Sequence, residues 1–219
     1  PGRERVLSPD RLPAIAGHIL FENSRLLVLD KPAGIAGHGG SGLSYGVIEA
    51  LRAQRPEAPY LELVHRLDRE TSGCLLIAKR RSALRDLHRQ LREGRVTKHY
   101  LALVRGVLQG TRRVDVPLRK NRLQGGERIV RVQADGKLAA TVFRPLSRHR
   151  EATLVEAILE TGRTHQIRVH LAHIGHPIVG DEQYGSRTQS KRILLHSAKM
   201  KLLDYEFNAA EPKDIARYK

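Results

Sequence analysis

The chain has 219 residues, enough for one domain with a substantial buried core. Lysine and arginine outnumber aspartate and glutamate by 39 to 23, and the formal net charge of +16 favours a polyanionic partner without distinguishing RNA, DNA or an anionic membrane. The single cysteine excludes an internal disulfide. With no secretory signal pattern and no apolar run long enough to cross a membrane, the chain is expected to be cytoplasmic.

The first third of the chain predicts a basic tail followed by a folded domain. Residues 1–18 are polar and basic and are typical of a tail or linker, and the folded domain is expected to cover 19–219. Within it, 26–29 predicts a strand and 34–42, with five glycines, predicts a loop. Residues 44–54 predict a helix by their apolar spacing.

The next segment predicts two apolar strands, 61–64 and 74–78, on either side of a polar stretch. A helix over 83–93 follows, with Ser82 as its expected cap and Gly94 as its end. The exposed face of that helix carries Arg85, Arg89 and Arg92, which are either simply solvated or in contact with a polyanion.

Strands predominate in the second half. Residues 100–104 and 153–159 each predict a strand, and 129–133 and 138–143 flank Asp-Gly and so predict a hairpin. Residues 164–174 predict a helix. Strands with inserted helices indicate an α+β fold with a largely antiparallel sheet.

The polar stretch His65–Gly73 carries the strongest functional signal. It places Asp68 between two buried strands, where a scaffold can hold a catalytic group. The alternative interpretation is a polar turn in which Asp68 and Ser72 bond to their own backbone.

Four motifs in order point to a known family. His-Arg-Leu-Asp with Thr-Ser-Gly at 65–73 is preceded by Leu-Val-Leu-Asp-Lys-Pro-Ala-Gly at 27–34. Lys-His-Tyr-Leu-Ala-Leu-Val-Arg-Gly at 98–106 and Thr-Gly-Arg-Thr-His-Gln-Ile-Arg-Val-His at 161–170 follow. Together these resemble the signature of the RluA-type pseudouridine synthases, over about residues 19 to 200. Flanking segments narrow the resemblance to members that act on large-subunit ribosomal RNA.

The resemblance implies a mixed, mostly antiparallel bent sheet with flanking helices and an active-site cleft across it. It implies isomerisation of uridines in 23S ribosomal RNA by a monomeric enzyme, although sister enzymes that modify transfer RNA share all four motifs. Similar members carry an N-terminal RNA-binding domain of the S4 type. Residues 1–18 cannot hold one, so either it was removed or the protein lacks it.

Asp68 is the expected catalytic residue. Pseudouridine formation breaks the bond from uracil N1 to ribose C1′ and remakes it from C5, and one carboxylate can act as nucleophile or base. Desolvation would neutralise an isolated carboxylate, whereas an adjacent guanidinium keeps it ionised. Arg168 matches the family arginine that pairs with the catalytic aspartate; otherwise it is an ordinary surface residue of a helix.

Two further residues match positions that bind substrate in the family. Tyr100 matches the tyrosine that lies against the target base, and the alternative is an ordinary core tyrosine. Arg66 matches the arginine that fills the gap left when the uridine flips out of the RNA stack. A simple phosphate contact is the alternative for Arg66.

No metal or organic cofactor is expected, and the sequence leaves three other functions to compare. His165, His170, His173 and His176 suggest a zinc hydrolase, but the usual zinc motif is absent and the only cysteine is distant. The kinase signature is incomplete. An RNA-binding module without turnover is the serious rival, since the net charge alone supports it and Asp68 would then be dispensable for binding.

Overall fold

The computed structural model describes residues 15–38, 46–122, 128–185 and 190–219. Within them are twelve strands: β1 Ile19–Glu22, β2 Leu26–Lys31, β3 Glu62–Leu63, β4 Ser72–Ala78, β5 Thr97–Arg105, β6 Arg112–Asp115, β7 Leu118–Arg122, β8 Arg128–Val132, β9 Ala140–Arg148, β10 Ala152–Leu159, β11 Leu195–Lys201 and β12 Glu206–Asn208. The helices are α1 Val47–Gln54, α2 Arg81–Arg92, α3 Gln166–His173 and the short α4 Lys213–Ala216.

In the described segments, ten strands form one sheet in the order β1-β2-β4-β11-β5-β10-β9-β6, with β3 on β4 and β12 on β11. The pairings are antiparallel except for β4 with β11, which run parallel. A separate two-stranded sheet joins β7 and β8. The prediction of an α+β fold with a mixed, mostly antiparallel sheet is therefore confirmed.

The parallel contact joins two halves of the large sheet and is only two residues long. His196 and Ser197 of β11 pair with Ser72 and Gly73 of β4, while the other edge of β11 pairs with β5. We call this contact the sheet junction. It lies directly after the Asp68 loop, which spans 64–71 between β3 and β4.

Apolar side chains cover both faces of the sheet, which explains why its central strands read as continuous hydrophobic runs. On one face, Leu27, Leu29 and alternate residues of β4 and β5 pack against α1 and α3. On the other, Leu26 and Val28 pack with α2. Tyr100 belongs to the α3-covered face, and this places it on the same side of the sheet as Arg168.

Several sequence predictions need correction. The hairpin expected around Asp135-Gly136 is wrong, because β8 pairs with β7 whereas β9 pairs with β10 and β6. A turn does form at Asp135-Gly136. Directly after it, Lys137 pairs with Leu118 of β7, and the chain then continues from the two-stranded sheet into the large sheet. Ser82 does not cap α2, since Leu84 N–H already bonds Arg80 O and the helix begins earlier.

Other boundaries shift by a few residues. The predicted strand 61–64 contracts to β3, and the predicted helix 164–174 to α3. The predictions for 1–14 and for 39–45, including the second part of the glycine-rich loop, lie outside the described residues. Among the described helices, none is long and apolar enough to cross a membrane.

Gly73 at the sheet junction should be irreplaceable. Its φ is +113°, and a Cβ there would stand 2.1 Å from the carbonyl oxygen of Ser197. We expect Gly73→Ala to lower the free energy of unfolding by more than about 4 kcal/mol or to prevent folding. Gly94→Ala is the matched control: its φ of +69° is also left-handed, but no atom lies within 4 Å. Its expected cost is about 1–2 kcal/mol. Urea unfolding would measure both, and equal costs would contradict the steric argument.

Candidate active site

One cavity of about 550 Å³ brings together all four residues selected from the sequence. Arg66 and Asp68 enter from the loop before β4, Tyr100 from β5 and Arg168 from α3. The other polar side chains of the lining are largely basic: His38, His65, Thr71, Lys98, Lys120, Arg128, Arg163, Thr164, His165 and Gln166. An anionic ligand is the natural occupant of such a lining.

The Asp68 loop is held through its backbone. Thr71 N–H donates to Asp68 O at 3.0 Å and closes a turn. Arg69 O accepts from Gly34 N–H at 2.9 Å and from the Lys31 ammonium at 3.0 Å. These bonds fix the loop while leaving the Asp68 carboxylate directed at the cavity, as preorganisation for catalysis requires.

Lys31 is a fully buried lysine that links two of the sequence motifs. Its ammonium donates to the carbonyl oxygens of Pro32, Ile35 and Arg69 at 2.9, 2.6 and 3.0 Å. Burial lowers the pKa of Lys31 to about 8, against the opposing attraction of the nearby carboxylates Glu70 and Asp68. A side chain of the motif at 27–34 thus holds the backbone of the motif at 65–73.

Arg168 lies between two aspartates, and the sequence pointed to only one of them. Its Nη1 is 3.5 Å from Asp68 Oδ2, as the family resemblance implied. Its tighter partner is Asp181, which is fully buried and accepts from Nε and Nη2 at 2.9 Å each. A bidentate pair of this kind fixes the guanidinium plane, because both hydrogen bonds must be satisfied together.

Asp68 also approaches a histidine. Its carboxylate is 38% exposed, and Oδ1 lies 3.8 Å from His165 Nε2. Burial lowers the pKa of His165, although Asp68 acts in the opposite direction, so the imidazole is neutral at neutral pH. Arg168 is thus the cation next to Asp68, and His165 contributes a polar wall.

His165 itself is held in a strained position. It precedes α3 with φ +53°, in a region that non-glycine residues rarely occupy. Its Nδ1 is 2.7 Å from the Tyr184 hydroxyl, which also accepts from Val130 N–H. The Tyr184 ring lies under the Arg168 guanidinium, 4.9 Å from centroid to Cζ. Tyr184 therefore contacts β8, the residue before α3 and the Arg168 guanidinium at the same time.

Tyr100 lies at the wall of the cavity with 8% of its surface exposed. Its strand position is fixed by Ala157 of β10 on one side and Ser197 of β11 on the other. Burial raises the pKa of Tyr100, so the phenol keeps its proton at neutral pH. It can present a ring face and a hydroxyl to a ligand.

Arg66 differs from Arg168 because it is exposed. Within the described parts of the chain its side chain forms no hydrogen bond or ion pair. An arginine that lines a cavity without an internal partner is available to a ligand. Both roles considered for it, filling the gap in the RNA stack and contacting phosphate, need that freedom.

Three of the four histidines that suggested zinc have other partners, His165 among them through Tyr184. His170 bonds Thr141 Oγ1 and the Val116 carbonyl at 2.9 and 3.1 Å, and His176 bonds the Arg105 carbonyl at 2.7 Å. In the described residues no three His, Cys, Asp or Glu side chains are grouped to hold a metal. Ser72 likewise bonds the His196 ring at 2.7 Å rather than its own backbone, contrary to the polar-turn alternative.

Asp181 and Tyr184 were not selected from the sequence, Lys31 appeared only within a motif, and His165 only as a possible zinc ligand. A buried arginine such as Arg168 needs a carboxylate partner, and the resemblance supplied only Asp68. Sequence alone could not choose Asp181, because that residue lies in a turn beyond α3 with no periodic pattern around it.

The fold is that of pseudouridine synthases. A solved human structure titled RNA pseudouridylate synthase domain containing 4 superposes with a TM-score of 0.79, at 24% identity over 94% of this chain and 92% of that one. A second, titled domain containing 1, gives 0.75 at 26% identity, over 97% and 86%.

The chain belongs to the RNA pseudouridylate synthase family, whose model matches residues 25–173. It is also 56% identical over 211 residues to a Salmonella typhi protein named ribosomal large subunit pseudouridine synthase C. That match covers 90% of this chain and 66% of the relative, so the chain spans about two thirds of that protein's length.

His65 should make the fold sensitive to acid. Its Nε2 accepts from Leu76 N–H at 3.1 Å, and burial, together with the nearby Lys98 ammonium, lowers its pKa to about 3. Between pH 6.5 and 3 the unfolded chain binds a proton that the folded chain excludes. The free energy of unfolding therefore decreases, through His65, by about 1.4 kcal/mol for each unit by which the pH is lowered in this range.

Comparing unfolding free energies with His65→Gln tests this expectation. The variant should lose less stability than the parent as pH falls, whereas a His173→Gln control at an exposed position should follow the parent. Identical acid profiles for parent and His65→Gln would show that His65 does not stay neutral in the fold.

Proposed function

We propose that this chain is the catalytic part of an enzyme that isomerises uridine to pseudouridine in large-subunit ribosomal RNA. The observation that carries the proposal is the convergence of Asp68, Tyr100 and Arg168 on one basic cavity, with the exposed Arg66 beside them. These residues come from three separate parts of the chain.

The substrate assignment rests on similarity and charge. The relative from Salmonella typhi is named for the ribosomal large subunit and is matched over 90% of this chain. The net charge of +16 suits a polyanion. The 23S ribosomal RNA is therefore the proposed substrate, and transfer RNA is the alternative that the first experiment must include. Cytoplasmic location, a monomeric state and independence of metal and cofactor remain predictions.

In the proposed reaction, Asp68 begins the chemistry at the ribose. The bond from C1′ to uracil N1 breaks, and Asp68 acts either as a nucleophile at C1′ or as a base on the sugar. The freed uracil turns within the cavity, C5 bonds to C1′, and the proton on C5 is lost. Substrate and product have the same composition, so the reaction needs no co-reactant.

The neighbouring residues have distinct roles in this scheme. Tyr100 lies against the flipped uracil, and its protonated hydroxyl can relay the C5 proton. Arg66 fills or stabilises the gap that the base leaves in the RNA, where a flat, charged guanidinium can stack. Arg168 provides the positive charge next to Asp68.

The rival interpretation is an RNA-binding module without turnover. It accounts for the charge but gives no reason for a buried arginine to hold a half-exposed carboxylate in the cavity. Turnover and binding can be measured separately, and Asp68 is the residue on which the two interpretations disagree.

Asp68→Asn should abolish isomerisation and leave RNA affinity within a few-fold, because the substitution removes the reactive carboxylate with little change in volume. The measurement is tritium release from RNA labelled at uracil C5, with unmodified 23S ribosomal RNA and a transfer RNA mixture in parallel. Asp115→Asn changes an exposed aspartate on β6 and is the control. Undiminished release by Asp68→Asn would refute the assignment.

Asp181→Asn tests the support for Arg168. Asparagine can accept only one of the two guanidinium hydrogen bonds, so Arg168 should lose its fixed orientation. We expect kcat to fall by about 10- to 100-fold with RNA affinity unchanged, the usual size of such supporting effects. A rise in KM with unchanged kcat, or no effect, would contradict a positioning role.

A further inference from the structure

Lys98 is a cation of the cavity for which the proposed mechanism provides no role. It lies on β5 two residues before Tyr100, and residues at this spacing share one face of a strand. Both line the cavity. The cavity thus presents an ammonium beside the tyrosine against which the uracil is proposed to lie.

The Lys98 ammonium also forms no hydrogen bond and no ion pair within the described residues, although the residue is partly buried. Burial lowers the pKa of Lys98, and none of the described carboxylates opposes this effect. Keeping an unpaired cation partly out of water costs stability, and such groups are frequent where a ligand supplies the missing charge.

The position of the ammonium indicates which part of an RNA would reach it. Lys98 Nζ is 3.3 Å from the place where a Cβ on Gly162 would stand, so the glycine leaves room for it. Gly162 also lines a second groove of about 490 Å³, which shares Lys120, Arg163 and Thr164 with the cavity. Lys137 and Arg119 extend this groove, where Arg119 pairs with Asp135 of the same lining. Lys98 therefore lies near the place where the cavity meets this basic groove.

We propose that Lys98 binds a phosphate of the substrate RNA next to the flipped uridine, where the cavity meets the basic groove. The inference rests on the proposed function and adds a phosphate site to it. The base occupies the Tyr100 end, and the sugar-phosphate chain passes over Gly162 into the groove.

Lys98→Gln should weaken RNA binding in a salt-dependent way. Losing one phosphate contact reduces the slope of log affinity against log salt by about 0.7–0.9 and lowers affinity by about 5-fold near 0.1 M salt. Lys98→Arg should keep the parent slope. Lys201→Gln, an exposed lysine on the neighbouring strand β11 outside both linings, is the matched control and should change neither quantity.

The assay is filter binding of a 23S ribosomal RNA transcript from 50 to 400 mM KCl, with tritium release under single-turnover conditions at saturating RNA. Release by folded Lys98→Gln at saturation should stay within about 3-fold of the parent. An unchanged salt slope would overturn the proposal. So would a large loss of release at saturation with unchanged affinity, since that pattern indicates contact with the reacting uracil.

Two further readings keep the interpretation separate from folding and from the proposed function. Thermal unfolding of Lys98→Gln should be no easier than that of the parent, because the substitution removes an unpaired cation; a marked loss of stability would instead indicate a structural role. If the parent binds RNA but releases no tritium, the proposed function fails, while the salt slopes still report on Lys98.

Discussion

The site depends on the sheet junction, where β4 and β11 run parallel for two residues. Ser197 on β11 pairs with Gly73 on one side and with Tyr100 on the other. Adjacent strands are about 4.8 Å apart, so Gly73 and Tyr100 are separated by roughly 10 Å across the sheet. The Asp68 loop ends directly before β4. One short row of backbone pairing therefore sets the spacing between the carboxylate and the tyrosine, and a side chain at position 73 would separate them.

The charges of the site follow from this geometry. Arg168 reaches Asp68 from α3, which packs against β9 in the other half of the sheet. Its guanidinium must therefore be held in place by a residue other than Asp68. Asp181 holds the guanidinium by accepting from Nε and Nη2, and the remaining Nη1 is directed at Asp68. If Asp68 were the only partner, each movement of the substrate against that carboxylate would also disturb the guanidinium. Two aspartates separate the task of holding the arginine from the chemistry.

Local pattern and long-range contact account for what the sequence could and could not predict. Strands such as β2 and β4, the fold class and the four cavity residues were predictable, because apolar runs and the motifs are contiguous in sequence. The Asp135-Gly136 turn was recognised, but its strands were paired wrongly, since the partner of β8 precedes it and no local signal names that partner. Asp181 and Tyr184 were missed for the same reason: their importance comes from contacts with α3, not from their neighbours in the chain.

The loop that carries Asp68 is ordered largely by donors that bind its backbone, and the Asp68 carboxylate stays at the cavity. Lys31 and Gly34 hold Arg69 O, and Arg192 donates to Glu70 O at 3.0 Å while Asp214 of α4 holds its guanidinium. The conformational entropy of this loop is therefore lost during folding and not when RNA binds. Binding energy from the surrounding cations then remains available to unstack a base, which costs a few kcal/mol. In this way the ordered loop that presents Asp68 and the basic residues around it become complementary parts of one site.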